Sequence, residues 1–367
     1  MANKKDRPGS STSTGFTGDV QINGILNKIP AALALDNAPV KLPEVEAPSL
    51  EGLTAELSPR PITQDDLLDR LAALVREHAQ RRDRAETETV ALGDEVLIDT
   101  LGYAKGRLLP FSIRENRWAL VNPDPLLPGF FESLVGRQVG LSVDIALTLP
   151  PDYPVESLRG ASARFLVDVK AARELSLPDP GSPSFIASLE QGATLADVMR
   201  QLGEALANER TDEATRDAQE HVLDVLVART RVEVPEPLVD EEIRRRWAEA
   251  ERPILQRKDF GPDELQQALE AWQQDPLTRA DATRRLKIAL VLAAIARRDQ
   301  IQPQRESLES IAGLLTGPAR IPREQLQRVL QNEPDVLERL ANVMMQLAVI
   351  DHVMSKVKLT AAPPRGA

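Results

Sequence analysis

The sequence predicts an α+β protein in which a small antiparallel β-sheet domain is followed by an all-α domain. Residues 142–149 and 163–169 carry an apolar side chain at every second position, a period-2 alternation that is typical of half-buried strands. From Thr194 onward the apolar residues instead recur every three or four positions, which is helical spacing. Seven of the twelve aromatic residues lie in residues 93–178, so we expect this stretch, called the head below, to have its own aromatic core.

Composition excludes several classes of function. The chain has 367 residues and a net charge of −11, which argues against nucleic acid as the main partner because phosphate binding needs a basic surface. It has no cysteine, so disulfides and thiolate chemistry are excluded. The basic start of the chain is not followed by the apolar core of a signal peptide, and the longest apolar run, residues 288–296, is too short to span a bilayer. We expect a cytoplasmic protein without a membrane partner.

The first 42 residues are predicted to be disordered or weakly helical. Residues 1–18 are rich in Gly, Ser and Thr. Residues 19–42 carry a short apolar patch at helical spacing, interrupted by Gly24 and Pro30. The patch consists of Ile22, Ile25, Leu26, Ile29 and Leu33. Two interpretations remain open: a weak helix that packs on its own protein, or a docking peptide for a partner.

Residues 61–92 are predicted to form a linker helix that leads into the head. Thr63 can cap its start, and Asp65 and Asp66 favour the positive end of the helix dipole. An apolar stripe at i, i+4, i+7 and i+8 follows this start. The stripe consists of Leu67, Leu71, Leu74 and Val75.

Prolines and charge divide the helical region further along the chain. Pro235 and Pro237 are expected to stop one helix, and Glu241–Glu242 to begin the next as an N-terminal charge pair. Residues 277–297 form the most apolar predicted helix. Residues 360–367 are predicted to be a loose tail. A last long helix is predicted from apolar residues at helical spacing, which are Val336, Leu340, Val343, Met344, Leu347, Ile350 and Val357.

Four short motifs follow one another in the head: Gly93-Asp94-x-Val96, Leu127-Pro128-Gly129-Phe130, Pro151-Asp152-Tyr153 and Leu158-Arg159-Gly160-Ala161. In order and spacing they resemble the FKBP-like domain of trigger factor, a bacterial chaperone of newly made chains. The resemblance covers residues 43–359. It implies an FKBP-like domain at residues 93–178 and an elongated helical chaperone domain with two arms at residues 179–359.

The resemblance also bears on the start of the chain. Residues 43–60 look like the last strand of the family's N-terminal domain, and the bulk of that domain, with its ribosome-docking loop, is missing. We therefore expect a divergent member of the family that does not dock on ribosomes. The oligomeric state is left open, because the family dimerises through the missing domain.

The resemblance implies a pocket for a proline side chain in the head. Catalysis there needs no nucleophile, because a dry pocket twists the imide toward its transition state. The candidate lining residues are Leu109, Trp118, Leu127, Phe130, Tyr153 and Phe165. Three positions depart from the family pattern: Leu109 replaces a usual Phe, Pro110 a common acidic residue, and Arg117 another Phe, for which adjacent Trp118 could compensate. The alternative is that Phe130 and Phe165 simply pack the core.

The helical domain is the predicted place of client binding, since flexible apolar side chains suit promiscuous contact. The candidate contact residues are Leu314, Leu315, Leu326, Leu330, Met344 and Met345. The alternative for each is an ordinary place in a helical core.

No cofactor is predicted. His78, His221 and His352 are isolated in the sequence, without the spacing of metal ligands. No P-loop or dinucleotide-binding motif is present, so ATP-driven activity is not expected.

Four interpretations of the function remain open. The first is an ATP-independent chaperone that holds unfolded or newly made polypeptides. The second is a dedicated chaperone for one client, such as a secreted effector, with residues 19–42 as its recognition peptide. The third is an active peptidyl-prolyl cis-trans isomerase. A structural adaptor built on an inactive head is the fourth interpretation.

Overall fold

The computed structural model describes residues 42–105, 107–124, 127–153, 155–302 and 334–361, and their side chains other than those of 334–342 and 361. The described chain divides into two compact units. One contains residues 56–218 and 236–282, and thus the whole head; the other contains residues 42–55, 219–235 and 283–360. The predicted α+β class, with an antiparallel sheet and a helical remainder, is confirmed.

The head is built on a six-stranded antiparallel sheet. Strand β7 pairs with β2, β3 and β6, and β3 also pairs with β4 and β5. The β3–β7 ladder runs from Glu95 opposite Arg173 to Ala104 opposite Ala163. The strands are β2 (Gln80–Asp83), β3 (Glu95–Ala104), β4 (Arg107–Leu108), β5 (Arg114–Leu120), β6 (Ser142–Thr148) and β7 (Ser162–Ser176).

The two alternating stretches form β6 and β7, as predicted. Val143 and Ile145 of β6 lie opposite Val167 and Phe165 of β7, and all four side chains are buried in the head's core. The intervening residues point to the other face because successive side chains of a strand alternate. Ser142 there donates a hydrogen bond from its hydroxyl to the carboxylate of Asp168.

The linker between residues 61 and 92 differs from the prediction. Its helix, α1 (Gln64–Glu77), begins with the predicted cap: Thr63 accepts a hydrogen bond from the N–H of Asp66, whose carboxylate accepts one from the N–H of Thr63. The helix is shorter than the predicted segment, because Gln80–Asp83 leaves it to become β2, paired with Arg173–Ser176. All four residues of β2 are exposed, so no apolar alternation indicated a strand.

Helix α1 packs on the next two helices, α2 (Pro183–Leu189) and the first half of α3 (Leu195–Ala228). This packing buries one apolar cluster, which contains Val75, Phe185, Ile186, Leu189, Val198 and Leu202. The predicted stripe of α1 is confirmed as the contact, since Leu67, Leu71 and Leu74 pack against this cluster.

The remaining described helices are α4 (Glu236–Ala250), α5 (Arg252–Arg257), α6 (Pro262–Gln274), α7 (Pro276–Asp299) and α8 (Pro334–Met354). Helix α4 begins at Glu236, so the prediction that Glu241–Glu242 begins it was wrong. Pro237 lies in its first turn, where the fixed φ of proline suits a helix and its missing N–H has no helical partner in any case. Glu242 is buried in the helix interior and pairs with Arg245 at 3.1 Å.

The second unit contains the most apolar helix, as predicted. Ile288, Val291, Leu292 and Ile295 of α7 are all buried, which is typical of a helix that is apolar on most of its sides. In the same unit Arg284 of α7 pairs with Asp224 of α3 at 2.8 Å. No helix in the described ranges has the length and apolar composition needed to cross a bilayer.

A two-stranded sheet joins the two ends of the described chain. Strand β1 (Thr54–Leu57) lies within the predicted remnant strand, residues 43–60, and pairs with β8 (Lys358–Ala361). Helix α8 ends at Met354, so the assignment of Val357 to this helix was wrong. The N–H of Lys358 donates to the carbonyl of Leu53 at 2.9 Å, and this strand pairing replaces further helical hydrogen bonds.

We predict that Gly102→Ala lowers the free energy of unfolding by about 1–3 kcal/mol, the usual cost of overpacking a core. A Cβ at this position would lie 2.7 Å from Cε1 of Phe165 and 3.0 Å from Cβ of Ser112. Urea denaturation measures the change. The control is Gly203→Ala in α3, where the nearest atom is 3.8 Å away and Ala favours the helix. Equal stability of the wild type and Gly102→Ala would contradict the close packing described above.

Candidate functional site

Three phenylalanine rings lie together in the core of the head. Phe130 contacts Phe165 edge to face, with ring centroids 5.4 Å apart, and contacts Phe131 in the same geometry at 5.1 Å. The turn before Phe130 is closed by Gly129, whose φ of +88° is a conformation that favours glycine. Phe165 lies opposite Gly102, where a missing side chain leaves room for its ring. Phe130 and Phe165 are both buried.

Five of the six predicted pocket residues assemble around these rings. Leu109 is buried in the same cluster as Phe130 and Phe165, and Leu127 and Tyr153 are half-buried against it. Burial raises the pKa of the Tyr153 hydroxyl, and the negative charge of Asp275 adds to the effect. The arrangement is an apolar cluster with one phenol at its margin. That a proline side chain enters it stays a prediction.

Trp118 does not join the cluster. It is 39% exposed, and the guanidinium of Arg173 stacks over its ring at 3.8 Å from the centroid. Its neighbour Ala119 does pack on the core, and adjacent residues of a strand point to opposite faces. Trp118 therefore cannot fill the place beside Arg117, and the suggested compensation was wrong.

The opposite face of the sheet carries a buried carboxylate, Asp99 of β3. It accepts hydrogen bonds from the Nζ of Lys170 at 2.8 Å, the N–H of Asn116 at 2.8 Å and the Nζ of Lys258 at 3.2 Å. Burial by itself would raise the pKa of Asp99, but these three bonds outweigh it and hold the pKa below its usual value. Lys258 directly follows α5, so this contact ties the helices to the head.

A second buried carboxylate, Glu251, lies between α4 and α5 and is 3% exposed. One of its oxygens accepts the backbone N–H of Phe111 at 2.7 Å, and the other accepts the indole N–H of Trp272 at 2.8 Å. Burial raises the pKa of Glu251 to about 7, although both hydrogen bonds and the charge of Arg114 act to lower it.

Sequence reasoning missed Glu251 because it lies in a charged stretch, residues 249–252, that reads as a solvated helix end. Its partners lie 140 and 21 positions away. The one signal available was the pair of aromatic residues, Phe111 and Trp272, that lies outside the regular apolar patterns.

The predicted client-binding residues fall in two groups. Leu314, Leu315, Leu326 and Leu330 lie outside the described residues. Met344 is 5% exposed and Met345 is half-buried, both on α8. Met344 therefore packs in the interior of the second unit, so its proposed contact with clients is corrected: a buried side chain offers no surface to a partner.

The three histidines have separate surroundings. The ring of His78 caps α1 through the carbonyl of Leu74 at 3.0 Å, His221 is exposed on α3, and Nε2 of His352 lies 3.0 Å from the carboxylate of Asp299. Within the part of the chain that the structure describes, no three His, Cys, Asp or Glu side chains are grouped as metal ligands would be.

Comparison with known proteins places the helical region in one family. Residues 194–355 match the family model described as bacterial trigger factor protein C-terminus. A trigger factor of Halothermothrix orenii is 28% identical over 320 residues, covering 85% of this chain and 72% of the relative. A trigger factor of Erythrobacter litoralis is 27% identical over 324 residues, covering 87% of this chain but only 59% of the relative.

A solved structure from work on promiscuous substrate recognition by the trigger factor chaperone covers 86% of this chain and 73% of its own. It is 19% identical, with a TM-score of 0.36.

The helical region is thus a trigger factor C-terminal domain, preceded by an antiparallel β head. Residues 194–355 thus match the C-terminal family of trigger factors, and the chain as a whole is similar to trigger factors over most of its length.

We predict that Phe130→Ala lowers the free energy of unfolding by about 3–5 kcal/mol, because it empties a buried ring site. Trp118→Ala removes an exposed ring and a cation–π contact and costs about 1 kcal/mol or less. Chemical denaturation of the two variants measures both. A Phe130→Ala protein as stable as Trp118→Ala would show that Phe130 lines an open pocket and is not part of the core.

Proposed function

We propose that the protein is an ATP-independent molecular chaperone that holds unfolded or newly made polypeptides against its helical domain. The observation that carries this proposal is the family match itself, which falls on the helical residues 194–355. Holding needs no chemical step, since burial of apolar surface, worth about 25 cal/mol per Å², supplies the binding free energy. A cytoplasmic location fits this proposal and stays a prediction.

Helix α8 offers a concrete contact surface. Leu347 is 37% exposed, and Ile350 and Met354 are half-buried three and seven positions further on. This spacing puts all three side chains on one face of the helix, which we call the α8 stripe. Val349 and Val353 are buried on the other side. The flexible thioether of Met354 and the branched side chains suit weak contact with many different sequences.

A second candidate function is prolyl isomerisation in the head. It is favoured by the assembly of Leu109, Leu127, Phe130, Tyr153 and Phe165 in one cluster. The full chain would then accelerate cis-trans exchange of a proline-containing test peptide above the uncatalysed rate. A rate equal to the background would remove this candidate.

Three further predictions concern partners. Absence of ribosome docking is tested by cosedimentation of the full chain with ribosomes. A dedicated client would be recognised by residues 19–42, which lie outside the described residues. The oligomeric state is open to direct measurement by light scattering.

We predict that Leu347→Ser weakens binding of an unfolded polypeptide about fivefold, because about 1 kcal/mol of apolar burial is lost. Fluorescence anisotropy of two unrelated, permanently unfolded, labelled polypeptides measures the dissociation constants. The matched control is Asp351→Ser, an exposed polar residue of the same helix, which leaves binding unchanged.

Equal affinity of the wild type and Leu347→Ser would remove the α8 stripe from the contact surface. Failure of both polypeptides to bind the wild type would remove general holding and favour a dedicated client.

A further inference from the structure

Glu251 connects segments that are far apart in the chain. Its two oxygens accept one N–H each, from the loop before β5 and from Trp272 in the last turn of α6, at 2.7 and 2.8 Å. The side chain is almost completely buried. A buried carboxylate is costly unless it is hydrogen-bonded, so these two N–H groups and the carboxylate need one another.

The loop that Glu251 holds has an unfavourable backbone conformation. Phe111 has a φ of +63°, a left-handed value that a bulky side chain rarely adopts. Such a conformation persists only where the surroundings determine it. Here Glu251 accepts the N–H of Phe111, and the Phe111 ring lies tilted on Trp272 with centroids 4.2 Å apart. Phe111 is still 43% exposed, so its own burial contributes little to stabilising this loop conformation.

The same helices make two further polar contacts with the head. Arg257 at the end of α5 pairs with Glu115 of β5 at 2.5 Å, and the Nζ of Lys258 lies 3.2 Å from Asp99 of β3. Leu109, two residues before Phe111, belongs to the buried aromatic cluster. The loop therefore has one end in the core of the head and the other on the helices.

We propose that Glu251 is a releasable latch, which holds helices α4–α6 on the head and keeps the loop of residues 109–113 in its left-handed conformation. Release frees Phe111 to leave the left-handed region. Through Leu109, it also changes the packing at the margin of the aromatic cluster. The latch thus couples the helical segment to the head, whether or not either part binds a client.

The latch responds to pH. Burial raises the pKa of Glu251 to about 7, whereas the exposed carboxyl of the released state has its ordinary pKa near 4.5. The charged group that faces it is Arg114 of β5, and Phe111 and Trp272 contribute neutral N–H donors. Because the pKa of Glu251 is higher in the latched state than in the released state, Glu251 stabilises the latched state fully below pH 4.5. This stabilisation is lost as the pH rises through about 7.

Asp99 responds in the opposite direction. Its pKa is held low, so the contact with Lys258 is present at neutral pH and is lost only in strong acid, as the pH falls through that lowered pKa. Between pH 5.5 and 8.0 the change therefore comes from Glu251. For a carboxyl with pKa values of about 7 and 4.5 in the latched and released states, the equilibrium constant for latching falls by roughly 25-fold over this interval.

Hydrogen–deuterium exchange of the full chain at pH 5.5 and 8.0 tests the latch, read from peptides that cover residues 107–114. Comparison with Glu251→Gln at the same pH cancels the intrinsic pH dependence of exchange. The Gln amide does not titrate, and it places an N–H₂ against one of the two donors, so its loop exchanges faster than wild type at pH 5.5. The ratio of wild-type to Glu251→Gln protection in this loop should be roughly 25-fold lower at pH 8.0 than at pH 5.5.

The matched control is Glu249→Gln, which changes an exposed carboxylate two residues away, paired with Arg245 at 3.1 Å. It should follow the wild type at both pH values. A wild-type to Glu251→Gln ratio that is the same at both pH values would overturn the pH response.

Trp272→Phe tests the latch itself, because it keeps one aromatic ring and deletes the N–H donor together with the rest of the indole. Faster exchange of residues 107–114 in this variant at pH 5.5, with the β3–β7 peptides still protected, is the expected result. Unchanged exchange of the loop would overturn the latch.

Discussion

The register of β3 against β7 is the constraint on which the rest of the head depends. It places Gly102 opposite Phe165, so that the ring enters the core, and places Asp99 opposite Asp168 on the other face. A slip by one residue would move every side chain of a strand to the opposite face. Such a slip of β3 would put the charge of Asp99 into the aromatic core, and a slip of β7 would put Lys170 there and expose Phe165. The apolar cluster and the charged face around Asp99, called the docking face below, are therefore two consequences of one pairing.

The docking face is where the head meets helices α4–α6. Two buried carboxylates serve it with opposite electrostatic character. Asp99 is paired with two ammonium groups and stays charged, whereas Glu251 receives two neutral N–H donors and is easily neutralised. Burial acts on both in the same direction, and the difference in partners decides the outcome. Asp99 keeps its charge, and Glu251 is neutralised in mild acid. The interface between the head and helices α4–α6 therefore tightens in mild acid and loosens above neutral pH.

The sequence was informative where structure is encoded locally. Strands β6 and β7 follow from period-2 alternation, α1 from its cap at Thr63 and its apolar stripe, and α7 from its apolar run. Strand β2 could not be found in this way, because its exposed side chains carry no pattern and its partner residues lie 90 to 96 positions away. The contacts of Glu251 and the pairing of β8 with β1 are non-local for the same reason. The error about Trp118 was avoidable, since strand alternation alone places it on the face opposite Arg117 and Ala119.

The match of the helical region to the trigger factor C-terminal family supports a holding chaperone. In the head, the phenylalanine rings form the hydrophobic core. The most direct test is light scattering from a chemically unfolded protein diluted into buffer with and without the full chain, in the absence of nucleotide. The account predicts that scattering falls with increasing amounts of the protein and reaches a limit near stoichiometric ratios. Scattering that is the same with and without the protein would contradict it.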